Sequence, residues 1–151
     1  MNWILQPFDQ LSPAAVYAIL QLRNEVFVVE QNCVFQDADG KDPYCHHLMA
    51  WENERLLAYT RLVPPDISYP GYASIGRVVT SPLTRGSGLG KELMQRSIAE
   101  TKKLFPGSPI RIGAQLYLKK FYSDLGFVQT GDIYLEDGIE HLEMTWSESP
   151  K

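Results

Sequence analysis

The sequence has few cysteines, no long apolar run and no excess of positive charge, and each shortage excludes a class of protein. Cys33 and Cys45 are the only cysteines among 151 residues, which is too few for a disulfide framework. Two thiols without an export signal are typical of the reducing cytoplasm. No apolar run approaches the ~20 residues that span a bilayer, and the first residues do not read as a signal peptide. We therefore expect a cytoplasmic protein that is not embedded in a membrane.

Charge limits the possible partners, and length limits the number of domains. The net charge is −4, so no broad basic surface invites nucleic acid. A metal site is not expected either, because the Cys45-His46 pair places two ligand types side by side, which rarely suits tetrahedral zinc. A length of 151 residues is typical of one domain, and we expect residues 1–151 to form it.

Alternating and helical patterns predict a mixed α/β fold. Ser12 and Pro13 mark the start of a first helix that ends near Val29, with Ser12 as its N-cap. Its mostly apolar face carries Val16, Ile19, Leu20, Arg23 and Phe27. A second helix runs from Lys91 to Phe105. Its buried side is predicted to hold Leu89, Leu93, Met94, Ser97, Ile98, Thr101 and Phe105. A third helix ends at Leu125. The predicted strands are Trp3 to Gln6, His47 to Glu52, Leu56 to Val63, Ala73 to Thr80, Ile110 to Ala114, Phe127 to Leu135 and His141 to Trp146.

A glycine-rich turn, Arg85 to Gly90, joins the fourth predicted strand to the second helix. Free backbone N–H groups at a helix N-terminus favour phosphate. Gly88 and Gly90 leave no Cβ in the way of a pyrophosphate. The spacing does not fit a nucleotide P-loop, which needs glycine where Arg85 stands and Ser or Thr where Glu92 stands, and the dinucleotide fingerprint G-x-G-x-x-G also fails. The turn therefore predicts a different phosphate-bearing ligand.

Three separated segments resemble one family. The pattern R-x-x-G-x-G, carried by Arg85, Gly88 and Gly90, resembles motif A of the GNAT superfamily of acyl-CoA transferases. The segment Tyr122 to Phe127 is similar to the x-Y-x-x-x-G-F junction of that superfamily. Three further segments resemble the ElaA-like branch of that superfamily: Leu22 to Asp42, Ile75 to Val79 and Tyr134 to His141. The likeness covers about residues 3 to 146.

The resemblance implies a GNAT fold, with a mostly antiparallel, splayed sheet of six or seven strands flanked by helices. It implies acetyl-CoA as co-substrate, lying where the strands that carry Thr80 and Ala114 separate. The backbone at Val78, Val79 and Thr80 is then expected to hold the pantetheine arm by strand addition. The amides of Arg85, Gly86, Ser87, Gly88, Leu89, Gly90 and Lys91 are expected to meet the pyrophosphate. Gln115 stands where many relatives have asparagine, and its amide is expected to serve the same arm.

The implied reaction moves an acetyl group to the primary amine of a small molecule or peptide, with Tyr122 as general acid for the leaving thiolate. A positioned proton donor of this kind contributes about 10²–10⁴-fold. Some family members carry a glutamate base on the central strand, but that region reads Ile75 to Val78 here. The base or the acceptor pocket is therefore sought elsewhere. The candidate bases are Glu30, Asp39, Asp42, His46 and His47. The candidate acceptor-pocket residues are Glu30, Asp39, Asp42, His47 and Arg77. Glu30 to His47 and Pro64 to Gly71 are expected to shape that pocket.

Two other functions fit parts of the sequence. The first is a non-catalytic domain that binds or senses acyl-CoA on the same fold; Tyr122 beside the glycine turn favours an enzyme instead. The second is a homoserine-lactone-type signal synthase, because Leu22 to Glu30 loosely resembles the N-terminal segment of those enzymes. The complete motif A favours ordinary CoA. The resemblance is also compatible with a homodimer.

Overall fold

A computed structural model describes residues 1–148 of the chain. Its strands are β1 (Asn2–Pro7), β2 (His46–Glu52), β3 (Arg55–Val63), β4 (Ser74–Thr80), β5 (Ile110–Gln115), β6 (Val128–Glu136) and β7 (Ile139–Trp146). Its α-helices are α1 (Pro13–Arg23), α2 (Leu89–Leu104) and α3 (Lys119–Asp124). These elements follow one another in the order that the sequence predicts.

The strands form two antiparallel sheets that touch at one point. The first sheet has the order β1-β2-β3-β4 and the second the order β5-β7-β6. The start of β5 meets the chain before β4 in a parallel bridge, where the Arg111 N–H donates to the Ala73 carbonyl at 2.9 Å. Beyond that bridge β4 is an edge strand, while β5 pairs with β7. The two strands therefore open into a V, which confirms the mixed α/β fold with a splayed, mostly antiparallel sheet.

The first helix begins where the sequence predicts, and the second begins two residues before the predicted Lys91. The first and third helices differ from the prediction in extent. The Ser12 hydroxyl caps α1 by accepting from the Ala15 N–H at 3.0 Å. The helical run then continues through a π-helical turn, Asn24–Glu30. The third helix is shorter than predicted, because a 3₁₀ turn, Leu116–Leu118, precedes the six residues of α3. No helix within residues 1–148 is long and apolar enough to cross a membrane.

The core lies on both faces of the first sheet and continues under the second. On one face α1 packs Ile19 and Leu22 against Tyr59 of β3. On the other face α2 packs Leu93 against the small residues Ala50 and Ala58. The predicted buried side of α2 is confirmed for Leu89, Leu93, Met94, Ser97, Ile98 and Thr101, whereas Phe105 is half-buried just past the helix end. Met94 of α2 packs in one cluster with Leu62 of β3 and Leu142 of β7, so the core joins the two arms of the V.

Candidate active site

A bulge in β4 marks the place where the V opens. Arg77 and Val78 together face the single residue Thr60 of β3, and Arg77 has a φ of 51°. A bulge of this kind bends its strand and redirects neighbouring groups. Because β4 is also the last strand of its sheet, its outer backbone edge faces the space inside the V.

A cavity of about 460 Å³ fills the V. It brings together residues that are distant in the sequence and that the resemblance singles out. Its walls include Val78, Val79 and Thr80 of β4, Gln115 at the end of β5, Tyr122 of α3, and Glu30, Arg77 and Arg85 at its rim. The cavity therefore collects the predicted pantetheine edge and the predicted general acid into one site.

The glycine turn lies beside this cavity, and only its first residue, Arg85, contributes to the wall. Gly88, with a φ of 82°, is the N-cap of α2. The first N–H groups of a helix have no partner within it, so this end of α2 presents donors. At Gly90 an added Cβ would lie 4.0 Å from the Thr80 side chain. Contacts with the protein therefore do not require glycine at position 90, and the open space is available to a ligand.

Tyr122 is held rigidly at the inner end of the cavity. Its ring packs edge-on against Phe121 and Phe127, with centroids 5.1 and 5.8 Å away. The Phe127 N–H donates to the Tyr122 carbonyl at 3.1 Å and closes the end of α3. Burial raises the pKa of Tyr122 above its ordinary value, so the phenol keeps its proton at neutral pH. A fixed, protonated phenol in a cavity can donate a proton.

An ion pair between Arg85 and Glu30 spans the rim of the cavity. Glu30 ends the π-helical turn, so the pair ties this turn to the glycine turn. The hydrogen bond from Arg85 lowers the pKa of Glu30. Nearby, the Gln115 amide donates to the Gln31 side chain at 3.4 Å. The segment that follows α1 therefore covers the cavity from one side.

Three arginines and three aspartates form a closed ring of ion pairs in which every member contacts two others. In order, the ring consists of Arg23, Asp37, Arg77, Asp39, Arg61 and Asp42, which bonds back to Arg23. We call it the arginine–aspartate ring. Its N–O distances run from 2.6 to 3.4 Å. It fixes the irregular segment before β2 against α1, β3 and β4, and the sequence analysis did not predict it.

The arginines of the ring keep its carboxylates charged, and burial keeps a neighbouring histidine neutral. Burial opposes ionisation of Asp39 and Asp42, but hydrogen bonds from Arg61 and Arg23 respectively hold the pKa of each carboxyl below its usual range. His47 lies behind the ring, and its Nε2–H donates to the Asp42 carbonyl at 3.0 Å while Nδ1 accepts from the Tyr59 hydroxyl at 2.6 Å. Burial lowers the pKa of His47, which keeps its imidazole neutral.

The predicted acceptor-pocket residues divide into two groups. Glu30 and Arg77 line the cavity in the V, and Asp39 lines a second cavity beside it. The structure does not bring Asp42 or His47 to the wall of either cavity. The polar atoms of Asp42 and His47 are already bonded within the ring and to Tyr59, which explains why they point into the protein.

The second cavity, of about 520 Å³, opens on the outer face of the second sheet and shares Arg77, Gly113 and Glu136 with the first. The loop after β3 contributes Tyr69 to this second cavity. The hydroxyl of Tyr134 lies so close to Gly113 that a Cβ at that position would overlap it. The two cavities therefore meet across the gap between β4 and β5.

His141 lines the first cavity, although the sequence analysis placed it only in the closing strand. It is buried, and its Nδ1 is 2.8 Å from the Ile139 carbonyl. Alternation along β7 was the available signal, since Leu142 and Met144 are buried in the core and His141 must face the opposite side. That pattern alone gives no reason to connect His141 with Tyr122.

Comparisons with known proteins agree with this geometry. A family model described as an acetyltransferase (GNAT) domain matches residues 11–148. Protein ElaA of Escherichia coli is 41% identical over 146 residues, which are 95% of this chain and 95% of ElaA. The crystal structure of an acyl-CoA N-acyltransferase from Pseudomonas aeruginosa superposes with a TM-score of 0.92 at 42% identity, covering 97% of this chain and all of that one.

The crystal structure of Escherichia coli ElaA superposes with a TM-score of 0.91 at 37% identity, covering 97% of this chain and 100% of that chain. Family model, sequence relative and structures thus agree along nearly the whole length. The chain belongs to the GNAT acyltransferase family, in its ElaA-like branch, and this family transfers acyl groups from acyl-CoA to amine acceptors.

Proposed function

We propose that the protein is an N-acetyltransferase that moves the acetyl group of acetyl-CoA directly to a primary amine. The observation that carries this proposal is the cavity in the V, whose walls include both the edge of β4 and the buried phenol of Tyr122. The edge provides a place for a thioester arm, and the phenol provides a proton for the departing sulfur.

The co-substrate has a continuous path along the site. The pantetheine arm would add to the backbone edge of Val78, Val79 and Thr80, in the manner of an extra strand. Gln115, across the cavity, offers its side-chain amide to the same arm. The pyrophosphate would meet the turn from Arg85 to Lys91, where the amides and the dipole of α2 favour an anion.

The chemistry follows from this placement. The neutral amine attacks the thioester carbonyl, a C–N bond forms and the C–S bond breaks. Backbone N–H groups near the bulge at Arg77 and Val78 would stabilise the oxyanion, a contribution of about 2.7–4 kcal/mol per donor in other enzymes. Tyr122 would give its proton to the CoA thiolate as the sulfur departs.

The acceptor would approach from the second cavity. Four carboxylates line this cavity against three cationic side chains. Asp39 is already paired with two of those cations, so Glu136 is the carboxylate that would receive a cationic amine. Glu30 and Arg77 remain part of the proposed pocket wall, while Asp42 and His47 would support it from behind through the ring. The free, buried thiols of Cys33 and Cys45 support a cytoplasmic location. The homodimer stays a prediction.

The first test is thermal unfolding with and without acetyl-CoA. A ligand at a hundredfold excess over Kd stabilises the folded state by about 2.7 kcal/mol, so the wild type should melt at a higher temperature with acetyl-CoA. Gly90→Leu should lose the shift, because the side chain would occupy the phosphate position. Gln95→Leu, on the exposed side of α2, is the matched control and should keep it. A wild type that acetyl-CoA does not stabilise would contradict the proposal.

The second test separates catalysis from binding. Tyr122→Phe should keep the thermal shift with acetyl-CoA and lose about 10²–10⁴-fold in turnover, measured as thiol release with a panel of amines. Full turnover in this variant would remove Tyr122 from the mechanism. Binding without turnover by the wild type would instead support a domain that only binds or senses acyl-CoA.

A further inference from the structure

We propose that His141 is the general base of the reaction, which takes the proton of the acceptor ammonium at Nε2. This inference rests on the proposed N-acetyltransferase function and adds a residue to it. The sequence offered no carboxylate base on β4, and His141 supplies a base from a strand on the other arm of the V.

The position of His141 places it between the two cavities. In the antiparallel register, His141 of β7 is paired with Gln115 of β5 on one side and with Tyr134 of β6 on the other. Directly paired residues lie on the same face of a sheet. Tyr134 and Gln115 line the second and the first cavity respectively. His141 therefore lies where an acceptor from the second cavity would meet a thioester in the first.

The hydrogen bonds of the His141 imidazole determine which of its nitrogens can accept a proton. A carbonyl oxygen only accepts hydrogen bonds, so the contact of 2.8 Å between Nδ1 and the Ile139 carbonyl requires the proton on Nδ1. The neutral ring then has its lone pair on Nε2. No N–H or O–H group of residues 1–148 donates to this nitrogen, which leaves it for the cavity that His141 lines.

Two neighbours hold the imidazole of His141 in place. Tyr134 stacks on the imidazole with centroids 5.7 Å apart and planes inclined by 26°. The Glu136 carboxylate lies 3.7 Å from Nε2 and lines both cavities. The negative charge of this carboxylate attracts an incoming ammonium towards Nε2. Glu136 is thus a positioning residue for both partners of the proton transfer.

Three of the other candidate bases are already engaged by other groups. Glu30 is ion-paired with Arg85, and Asp39 is ion-paired with Arg61 and Arg77. A carboxylate held in this way is a weak proton acceptor, because the guanidinium stabilises its charged form. His47 accepts from Tyr59 at Nδ1 and donates from Nε2, so neither of its nitrogens is free. His141 has a nitrogen that these contacts leave available.

The proton balance is complete without another reactant. The acceptor ammonium gives one proton to Nε2 of His141, and the neutral amine forms the C–N bond with the acetyl carbon. The C–S bond breaks, and Tyr122 protonates the sulfur. The second proton on the new amide nitrogen returns to the Tyr122 phenolate through solvent in the cavity. The His141 imidazolium then releases its proton to bulk water, so the products are the acetamide, CoA thiol and one proton.

The test compares His141→Asn with the wild type on two small amines at neutral pH. Propylamine is almost fully protonated there and needs a base, whereas trifluoroethylamine is mostly neutral. Asparagine keeps an N–H that can donate to the Ile139 carbonyl but lacks a basic nitrogen. We expect kcat/KM to fall about 10²-fold or more with propylamine and less than about tenfold with trifluoroethylamine. Glu140→Gln, at an exposed position of β7 next to His141, is the control and should change neither value.

Each outcome supports or overturns the role of His141 as general base. Equal losses with both amines would show a structural role and overturn the proposal, as would an unchanged rate with propylamine. The thermal shift with acetyl-CoA confirms that each variant folds and binds. If His141→Asn fails this check, His141→Ala with added imidazole replaces it, and rescue of propylamine turnover supports the base while absence of rescue contradicts it. A wild type that binds acetyl-CoA but acetylates neither amine would overturn the proposed function itself, and this inference with it.

Discussion

At the scale of single residues, Arg23 shows how far local spacing carries a prediction. The helical pattern placed it on the mostly apolar face of α1, and it is indeed buried, with 1% of its side chain exposed. A buried guanidinium needs paired carboxylates. Asp37 and Asp42 supply them from 14 and 19 residues further along the chain. Spacing within α1 predicted the burial of Arg23 but not these partners, because they come from an irregular segment without a period.

The arginine–aspartate ring predicts a large stability loss when one arginine is removed. In Arg23→Met, Asp37 and Asp42 each lose one of their two arginine partners. Both carboxylates stay largely buried. Breaking a buried pair in this way typically costs about 3–5 kcal/mol. Urea unfolding at neutral pH should show this loss in the free energy of unfolding.

Lys120→Met is the matched control for the ring. Its ion pair with Asp124 is exposed, with 88% of the lysine side chain accessible, and such pairs contribute about 0.5 kcal/mol or less. A loss below about 1 kcal/mol in Arg23→Met would mean that the ring holds the acceptor side of the site without stabilising the fold.

The two catalytic candidates, Tyr122 and His141, also differ in how readily the sequence identifies them. Tyr122 stands in a segment whose spacing to Gly126 and Phe127 resembles a family junction, so it could be singled out before the fold was described. His141 stands in a strand with ordinary alternation. Its neighbours Gln115 and Tyr134 become neighbours only through strand pairing, and single-sequence periodicity contains no information on register.

At the scale of elements, the end of α3 controls where Tyr122 points. The helix closes through the bond from the Phe127 N–H to the Tyr122 carbonyl, and the chain turns at Gly126, with a φ of 101°. A Cβ at this glycine would lie 3.0 Å from Nε1 of Trp146. Glycine is therefore needed there both for backbone conformation and for space.

Gly126→Ala should lower the free energy of unfolding more than Gly107→Ala, because the two glycines differ in one respect. Gly107 has a φ of 80° but nothing within 4 Å of an added Cβ. A left-handed conformation costs an L-residue about 1–2 kcal/mol, which both variants carry. Crowding against Trp146 adds about 1–3 kcal/mol in Gly126→Ala alone. Thermal unfolding of the two variants measures the difference, and equal losses would contradict the contribution of Trp146.

Element boundaries were predictable where hydrophobic periodicity is strong. The buried side of α2 was predicted at six positions that the structure confirms. The π-helical turn after α1 was not predicted, because apolar residues continue at helical spacing up to Phe27 and hydrogen-bond partners leave no mark on that pattern. The third helix was predicted too long for a related reason, since a 3₁₀ turn and an α-helix have similar composition over a few residues.

At the scale of the whole molecule, the V depends on one parallel contact between distant parts of the chain. Ala73 and Ile110 form this bridge, and all other pairing of their strands leads away from it. Periodicity predicted the strands on both arms, but only the family resemblance implied that they splay. The resulting gap joins the cavity that Tyr122 lines to the cavity that Tyr134 lines, which two closed sheets would not allow.

Folding of the whole chain should depend on pH in two steps. His47 has a folded pKa below its ordinary value of 6.5 because burial disfavours its charged form. The unfolded chain therefore binds a proton that the folded chain does not, and the stability from this group, present above pH 6.5, is lost as the pH falls through the lowered pKa. Asp39 and Asp42 also have lowered pKa values, so their contribution is present above pH 3.8 and is lost below it.

Urea unfolding from pH 7 to well below pH 3.8 covers both steps, with the ring and its neighbouring histidine as their source. In His47→Gln the first step should disappear, because the glutamine side chain does not titrate, while the step near pH 3.8 should remain. Ser12→Ala removes the cap of α1 without touching a titratable group, and it should lower stability by about 1 kcal/mol at every pH. A wild-type curve without the first step, or a His47→Gln curve that keeps it, would show that the charge state of His47 does not govern the stability of the ring.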